Sequence, residues 1–257
     1  MKIPLVDVEE EFAAFLEGCG AEISDKTLSG PDKPINSDYI FHDEMVVAEL
    51  KFLKKNPFEN KDFLKSFESK KREWVKKRFV TSAELERVTR ISQLPDNCYN
   101  DILKLYMSSV KQHIKSANDQ IKNTKARLGL HNHKGLLFIG SEGNYFLQPE
   151  HIRHFIARIL NPSNVYTSIN TVVYLTVNVP TIRPDDPTFS RLWVNLYRDE
   201  EYFENVSVAF LKMLYNGWVS HYQNVTQMYI KNLSEMDERG RTQRDLLKDA
   251  VLIKPPQ

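Results

Sequence analysis

Two apolar strands separated by an amphipathic helix constrain the fold of this chain more than any other feature. Residues 135–140 are entirely apolar, as in a strand buried on both faces, and residues 170–179 form a second strand of this kind. Between them, Pro149 opens a segment whose apolar residues recur at helical spacing. Strand, helix and strand at this separation predict a parallel crossover, so the chain is expected to adopt an α/β fold.

Residues 36–56 are predicted to form a β-hairpin. Residues 45–53 are rich in Val, Leu and Phe and contain neither Gly nor Pro, which is typical of a strand. Residues 38–41 supply the partner strand, and the polar residues 42–44 supply the turn.

The hairpin is expected to bring two acids and a lysine together. Because side chains alternate along a strand, Val46 and Ala48 share one face, whereas Glu49 and Lys51 share the other. A hairpin that turns at residues 42–44 places Asp38 opposite this charged end.

This group of side chains suits the hydrolysis of a phosphodiester. Two adjacent carboxylates, Asp38 and Glu49, repel each other, and a hard divalent cation such as Mg²⁺ relieves that repulsion. A nearby Lys51 can orient the attacking water and offset negative charge in the transition state. The alternative is structural, because Glu and Lys two residues apart are also typical of a solvated strand edge.

Asp38, the hairpin and Glu49-Leu50-Lys51 resemble the active-site signature of the PD-(D/E)XK nuclease superfamily, which includes restriction endonucleases and resolvases. The chain departs from the signature at Ser37, because the literal Pro-Asp pair, Pro31-Asp32, falls earlier in the segment 18–34, a predicted exposed loop. Asp38 is the preferred candidate because it begins a strand.

The resemblance implies a mixed central sheet flanked by helices, as in a restriction-endonuclease-like core. It also implies a metal-dependent nuclease that hydrolyses nucleic acid, expected to be DNA, in a setting such as restriction or mobile-element defence. Asp38 and Glu49 would hold Mg²⁺ or Mn²⁺, and Lys51 would position the attacking water.

Two further residues are candidates for supporting roles. Residues 99–130 are predicted to form one long helix, and residues 118–125 resemble the helix that follows the Glu-x-Lys strand in several members of the superfamily, where a Gln contacts the site. Gln120 is the corresponding candidate, although Thr124 stands where some families have Tyr. Glu11, on a predicted helix over residues 6–19, is the candidate for an additional acid.

A helical insertion over about residues 57–95 carries the densest basic cluster of the chain. Four aromatic residues of the insertion are expected to face inward, namely Phe63, Phe67, Trp74 and Phe79. A basic cluster with interleaved aromatics can bind a phosphate backbone, although such a charge run is also typical of a solvated helix face. The residues expected to bind nucleic acid are Lys70, Lys71, Arg72, Lys76, Lys77, Arg78 and Lys125.

The predicted organisation is a core over residues 1–180 and a mostly helical C-terminal extension over residues 181–257. Residues 192–197 are expected to form an edge strand, and residues 200–233 one or two helices. The His131-x-His133 pair lies in a predicted turn, where we see no Cys or carboxylate at a spacing that suits zinc.

The composition of the chain indicates its cellular compartment and limits how it could bind nucleic acid. With a net charge of +1, nucleic acid would have to bind a local patch. The two cysteines, without a pairing pattern, favour a reducing compartment, and no apolar run approaches the 18 residues of a membrane span. The expected location is therefore the cytoplasm.

A second hypothesis is an interaction subunit that keeps the nuclease fold without catalysis. Such a chain would act beside a helicase, ATPase or sensor protein, in a homo-oligomer or hetero-complex. Side chains of Asp38, Glu49 and Lys51 that converge at an open cleft favour the enzyme, whereas a buried ion pair favours the interaction subunit.

Overall fold

The computed structural model describes residues 7–24, 36–53, 60–88, 93–142, 149–177 and 193–227. Within these residues, six strands form one mixed sheet in which the spatial order follows the chain order. The expected α/β class is confirmed. The strands are β1 (Glu22–Ile23), β2 (Tyr39–Phe41), β3 (Val46–Leu53), β4 (Lys134–Glu142), β5 (Thr171–Val177) and β6 (Trp193–Tyr197).

The strand directions confirm the predicted hairpin and the predicted parallel crossover from β4 to β5. Strands β1, β2 and β3 form an antiparallel meander, β3, β4 and β5 run parallel, and β6 pairs antiparallel with β5 at the edge. The expectation of a loop over residues 18–34 was wrong at β1. A two-residue strand is too short to show alternation, and β1 is defined only by its pairing with β2.

The helices begin at residues with the expected capping chemistry. Asp7 accepts from two backbone N–H groups at the start of the first helix, and Thr81 forms a capping box with Glu84. The long periodic segment is confirmed as one continuous helix of 33 residues. The helices are α1 (Val8–Gly18), α2 (Lys61–Lys76), α3 (Ser82–Arg87), α4 (Asp96–Leu128), α5 (Pro149–Leu160) and α6 (Val208–Thr226).

The chain divides into two compact units. Unit one contains the described parts of residues 1–53, 113–143 and 160–236, and therefore the strands, α1, α6 and the second half of α4. Unit two contains α2, α3, the first half of α4 and nearly all of α5. The predicted boundary at residue 180 lies outside the described residues.

One face of the sheet in unit one is covered by an aromatic core. The ring of Phe12 on α1 lies 5.2 Å from that of Phe138 on β4 and 4.8 Å from that of Trp218 on α6. Val46 and Ala48 of β3 belong to this core, as the alternation predicted. The intervening residues of β3, including Glu49, therefore project from the other face.

Unit two has its own aromatic contacts. Trp74 is fully buried and donates its indole N–H to Asp101 at 3.1 Å, and Phe67 is also buried. The inward position expected for Phe79 was wrong, because its side chain is exposed. Helix α2 ends at Lys76 and Arg78 has a φ of 57°, so the helical periodicity that placed Phe79 inside does not extend to it.

Candidate functional site

The hairpin register brings the two predicted carboxylates together. Tyr39 pairs with Ala48, so Asp38 lies opposite Glu49. The backbone N–H of Asp38 donates to Glu49 Oε2 at 3.1 Å, and the backbone N–H of Leu50 donates to Asp38 Oδ2 at 2.8 Å. Each strand therefore holds the carboxylate of the other.

Lys51 completes a group of three charged side chains. Its Nζ contacts Glu49 Oε1 directly. Glu49 is fully buried, whereas the Lys51 side chain keeps 20% of its surface exposed. The site thus combines a carboxylate that is shielded from solvent with an ammonium group that is partly exposed to it.

Burial and like charge make Glu49 an unusual acid. The pKa of Glu49 is raised to about 8. Loss of hydration is the largest cause and the negative charge of Asp38 adds to it, whereas Lys51 and the hydrogen bond from Asp38 act in the opposite direction. One ammonium group and one backbone donor therefore do not compensate the buried charge.

These donors suit a hard divalent cation. Asp38 and Glu49 supply carboxylate oxygens, and oxygen is the ligand atom that a hard divalent cation prefers. Within the described ranges, no group of three or more His, Cys, Asp or Glu residues is arranged to hold a metal. Two carboxylates are enough for Mg²⁺ or Mn²⁺, because such ions retain bound water.

Helix α4 anchors the segment that leads into Asp38. Gln120 donates its side-chain N–H to the carbonyl of Asn36 at 2.8 Å, and Arg127 donates to Asn36 Oδ1 at 3.0 Å. Thr124, fully buried, accepts from the backbone N–H of Ser37 at 2.8 Å. These three contacts fix the backbone just before Asp38.

Sequence reasoning found only part of this anchor. Gln120 was a candidate for a supporting role at the site, and in the structure its side chain donates a hydrogen bond to the carbonyl of Asn36. Thr124 appeared only as the position where some families have Tyr, yet a polar residue four positions after Gln120, on the same side of the helix, was a usable signal. Arg127 and Asn36 offered no comparable signal, because their contact joins residues 91 positions apart.

Thr124→Val is expected to loosen the entry to Asp38. Valine keeps the volume but leaves the buried N–H of Ser37 without its acceptor, which should lower the free energy of unfolding by about 1–2 kcal/mol. Urea unfolding of both proteins measures this loss. Thr124→Ser retains the hydroxyl and should recover most of the hydrogen-bond contribution; equal unfolding midpoints for wild type and Thr124→Val would contradict the anchor.

Glu11 has a partner of its own. Its Oε2 lies 2.8 Å from Nε2 of His221 on α6. Helix α1 packs on the sheet face that carries Val46 and Ala48, opposite to the face from which Glu49 projects. The role of Glu11 as an additional acid at the site stays a prediction.

His113 is a residue of this region that sequence reasoning missed. Burial lowers the pKa of His113, and the positive charge of Lys51 lowers it further. His113 therefore lies within electrostatic range of Lys51. The available signal was its spacing, because it precedes Gln120 by seven residues and so lies on the same side of the helix.

The basic cluster of α2 is partly neutralised within unit two. Four ion pairs between described residues involve its lysines: Lys70 with Glu73 at 2.8 Å and with Asp101 at 3.8 Å, Lys77 with Glu73 at 2.6 Å, and Lys71 with Glu68 at 2.6 Å. Arg72, Lys76 and Arg78 are exposed, with no ion pair to another described residue. Nucleic-acid binding by the cluster stays a prediction, and these last three residues are its strongest candidates.

Lys125 differs from the cluster because it is half-buried in unit one. Burial lowers the pKa of its ammonium group to about 8. Its charge also contributes to lowering the pKa of His133, after burial and His42. Lys125 is thus a poorly hydrated cation on the second half of α4, and its predicted contact with nucleic acid stays a prediction.

Lys125→Met is expected to stabilise the protein at neutral pH. The unfolded chain binds the Lys125 proton up to about pH 10.4 and the folded chain only up to about pH 8. As the pH rises between these two values, the free energy of unfolding of the wild type therefore increases relative to that of Lys125→Met. After allowance for partial exposure, the variant should gain about 1 kcal/mol at pH 7 and lose that advantage near pH 10. Guanidinium unfolding at both pH values tests this.

The control is Lys122→Met, since Lys122 is an exposed lysine one turn earlier on the same helix. It should change the unfolding free energy little at either pH. A gain at pH 7 that persists at pH 10 would contradict the pH argument for Lys125.

Three comparisons with known proteins returned no match: no protein-family model, no curated protein and no solved structure matches this chain. Within the residues described, no helix is both long enough and apolar enough to cross a membrane.

Proposed function

We propose that this chain is a metal-dependent nuclease that hydrolyses phosphodiester bonds of nucleic acid, with DNA as the expected substrate. The observation that carries the proposal is the convergence of Asp38, Glu49 and Lys51 at one point of the β2–β3 hairpin. The resemblance of these residues to the PD-(D/E)XK signature supports the same chemistry and a setting such as restriction or mobile-element defence.

Each residue has a distinct role in the proposed reaction. Asp38 and Glu49 hold Mg²⁺ or Mn²⁺, which when bound polarises the phosphodiester and lowers the pKa of bound water. The Lys51 ammonium group orients the attacking water and offsets the negative charge that develops on the phosphoryl oxygens. Gln120, through the carbonyl of Asn36, keeps the Asp38 segment in place.

Substrate binding is expected to depend on positive charge outside this site. Arg72, Lys76 and Arg78 on and just after α2 are exposed and have no ion pair with another described residue, so they are available for phosphate groups. Such contacts are independent of sequence, and base recognition would require further residues or a partner protein.

The direct test is cleavage of a mixed set of single- and double-stranded DNA and RNA by the wild-type chain with Mg²⁺, Mn²⁺ or EDTA. Cleavage is expected with either metal and should stop in EDTA. A chain that cuts no substrate under any condition, and whose unfolding temperature does not rise with either metal, contradicts the proposal.

One observation favours the second candidate, a non-catalytic interaction subunit. Glu49 is fully buried and ion-paired with Lys51, as expected of a structural pair. The two candidates differ in their response to metal, because a cation bound to the folded chain raises its unfolding temperature in a concentration-dependent way, whereas a purely structural pair gives no such rise. A partner such as a helicase, ATPase or sensor chain belongs to this second candidate.

A further inference from the structure

The loop between β6 and α6 is held rigidly by its backbone and by Asn205. The Asn205 side chain donates to the Arg198 carbonyl at 2.8 Å and accepts from the Arg198 N–H at 3.0 Å. The N–H groups of Tyr202 and Phe203 both donate to the Asp199 carbonyl at 3.0 Å. These four hydrogen bonds tie the loop to itself.

A buried guanidinium fixes the base of the same loop. Arg198 donates to the carbonyls of Pro162, Val165 and Tyr166 at 3.0–3.3 Å. Its guanidinium also lies 3.8 Å from the centre of the Phe203 ring. These contacts connect the loop to the segment that precedes β5, which limits its movement.

The hydrogen-bonded loop and its two flanking residues expose three large side chains with apolar surface. Tyr202 is 59% exposed, Val208 65% and Tyr197 44%. They border an open cavity of about 660 Å³ that is formed by Tyr197 and residues 200–208. Exposed apolar groups on a preorganised surface are typical of a protein interaction site, because little conformational entropy is lost on binding.

The charge of the cavity indicates the chemistry of its partner. Glu200, Glu201 and Glu204 line it together with the tyrosines, and Glu204 forms an ion pair with Lys134 at 2.6 Å. The ion pair neutralises one acid, so the lining of the cavity keeps a net negative charge. Acidic and aromatic groups side by side suit Lys or Arg next to an apolar residue.

We propose that this acidic aromatic cavity is a docking site for a basic segment of a partner protein, in which Lys or Arg residues lie beside an apolar anchor. The inference is independent of the proposed nuclease activity, because it uses none of the residues of the β2–β3 site. The tyrosines and Val208 would supply contact area, and the glutamates would select the charge of the segment.

A random dodecapeptide library displayed on phage tests this proposal. The library is selected on the wild-type chain and counter-selected on a Glu200→Gln, Glu201→Gln, Glu204→Gln variant. Enriched peptides are expected to combine Lys or Arg with Leu, Phe, Trp or Tyr. As synthetic peptides, measured by fluorescence anisotropy, they should bind the variant about 10-fold more weakly, and wild-type binding should weaken with added salt.

Two matched variants complete the experiment. Tyr202→Ala should also weaken peptide binding about 10-fold, since it removes an exposed aromatic contact. Asp43→Asn with Glu44→Gln neutralises two exposed acids of the β2–β3 turn and should leave binding unchanged. Circular dichroism and thermal unfolding establish that each variant is folded.

Three results would overturn the proposal. The first is the absence of enriched peptides, or the enrichment of neutral or acidic ones. The second is equal binding to the wild type and the triple glutamine variant. The third is self-association of the wild type, measured by sedimentation velocity, that the triple variant abolishes, because the occupant would then be a second copy of this chain.

Discussion

Glu49→Gln is expected to reduce metal-dependent cleavage by about 100-fold or more, the largest effect on activity that the site predicts. Glutamine has nearly the same shape but carries no negative charge. The site then keeps only the carboxylate of Asp38, so its affinity for Mg²⁺ falls. The rise in unfolding temperature with Mg²⁺ or Mn²⁺ should disappear in the same variant.

Lys51→Met is expected to reduce cleavage by a similar factor for a different reason. It removes the ammonium group that orients water, whereas both carboxylates stay in place. Because it also leaves buried Glu49 without its ion pair, the variant should unfold more easily, by up to about 3 kcal/mol. Activity is therefore measured well below its unfolding temperature.

Glu44→Gln is the matched control, because Glu44 is an exposed acid in the turn of the same hairpin. It should retain full activity and a normal unfolding temperature. Folded Glu49→Gln protein that cuts as fast as the wild type would exclude Glu49 from the reaction and would favour the interaction subunit.

Gly135→Ala is expected to have the largest effect on stability. A Cβ at this position would lie 1.8 Å from the carbonyl oxygen of Ser168, far inside any possible contact. Neither side can move easily, because Gly135 exchanges hydrogen bonds with Asn170 at 2.7 and 2.9 Å, and the Ser168 N–H is held by Asn118 at 2.9 Å. The free energy of unfolding should fall by about 3 kcal/mol or more.

Gly18→Ala provides the comparison for this substitution. Gly18 is the last residue of α1, and a Cβ there would have no neighbour within 4 Å. Alanine should leave stability unchanged or raise it by up to about 1 kcal/mol, because it loses less backbone entropy than glycine on folding. Urea unfolding of the two variants decides the matter; a Gly135→Ala chain as stable as the wild type would contradict the close approach at Ser168.

The amino-acid sequence was sufficient to predict features that depend on local periodicity. Alternation along residues 45–53 placed Glu49 and Lys51 on one face and Val46 and Ala48 on the other, and the structure has these faces as predicted. The hairpin is also local, because only a short turn separates its strands. Residues 135–140 and 170–179 similarly predicted the parallel strands, because strands this apolar are stable only in a sheet that is covered on both faces.

Local periodicity failed where an element ends or is very short. Phe79 was expected inside because the helical pattern was extended past Lys76, where the backbone turns. Strand β1 was missed because two residues cannot show alternation. In both cases the outcome depends on contacts and backbone angles that the hydrophobic pattern does not encode.

Only the tertiary structure decided how the candidate site is held. The hydrogen bonds from Gln120 to Asn36 and from Ser37 to Thr124 join residues 84 and 87 positions apart, so they depend on the packing of α4 beside the hairpin. The complete burial of Glu49, and hence its raised pKa, is likewise a property of the folded chain that alternation along the strand does not reveal. The sequence by itself determined which charged groups meet, because strand pairing is local; their hydration and anchoring were decided by long-range packing, which no short segment specifies.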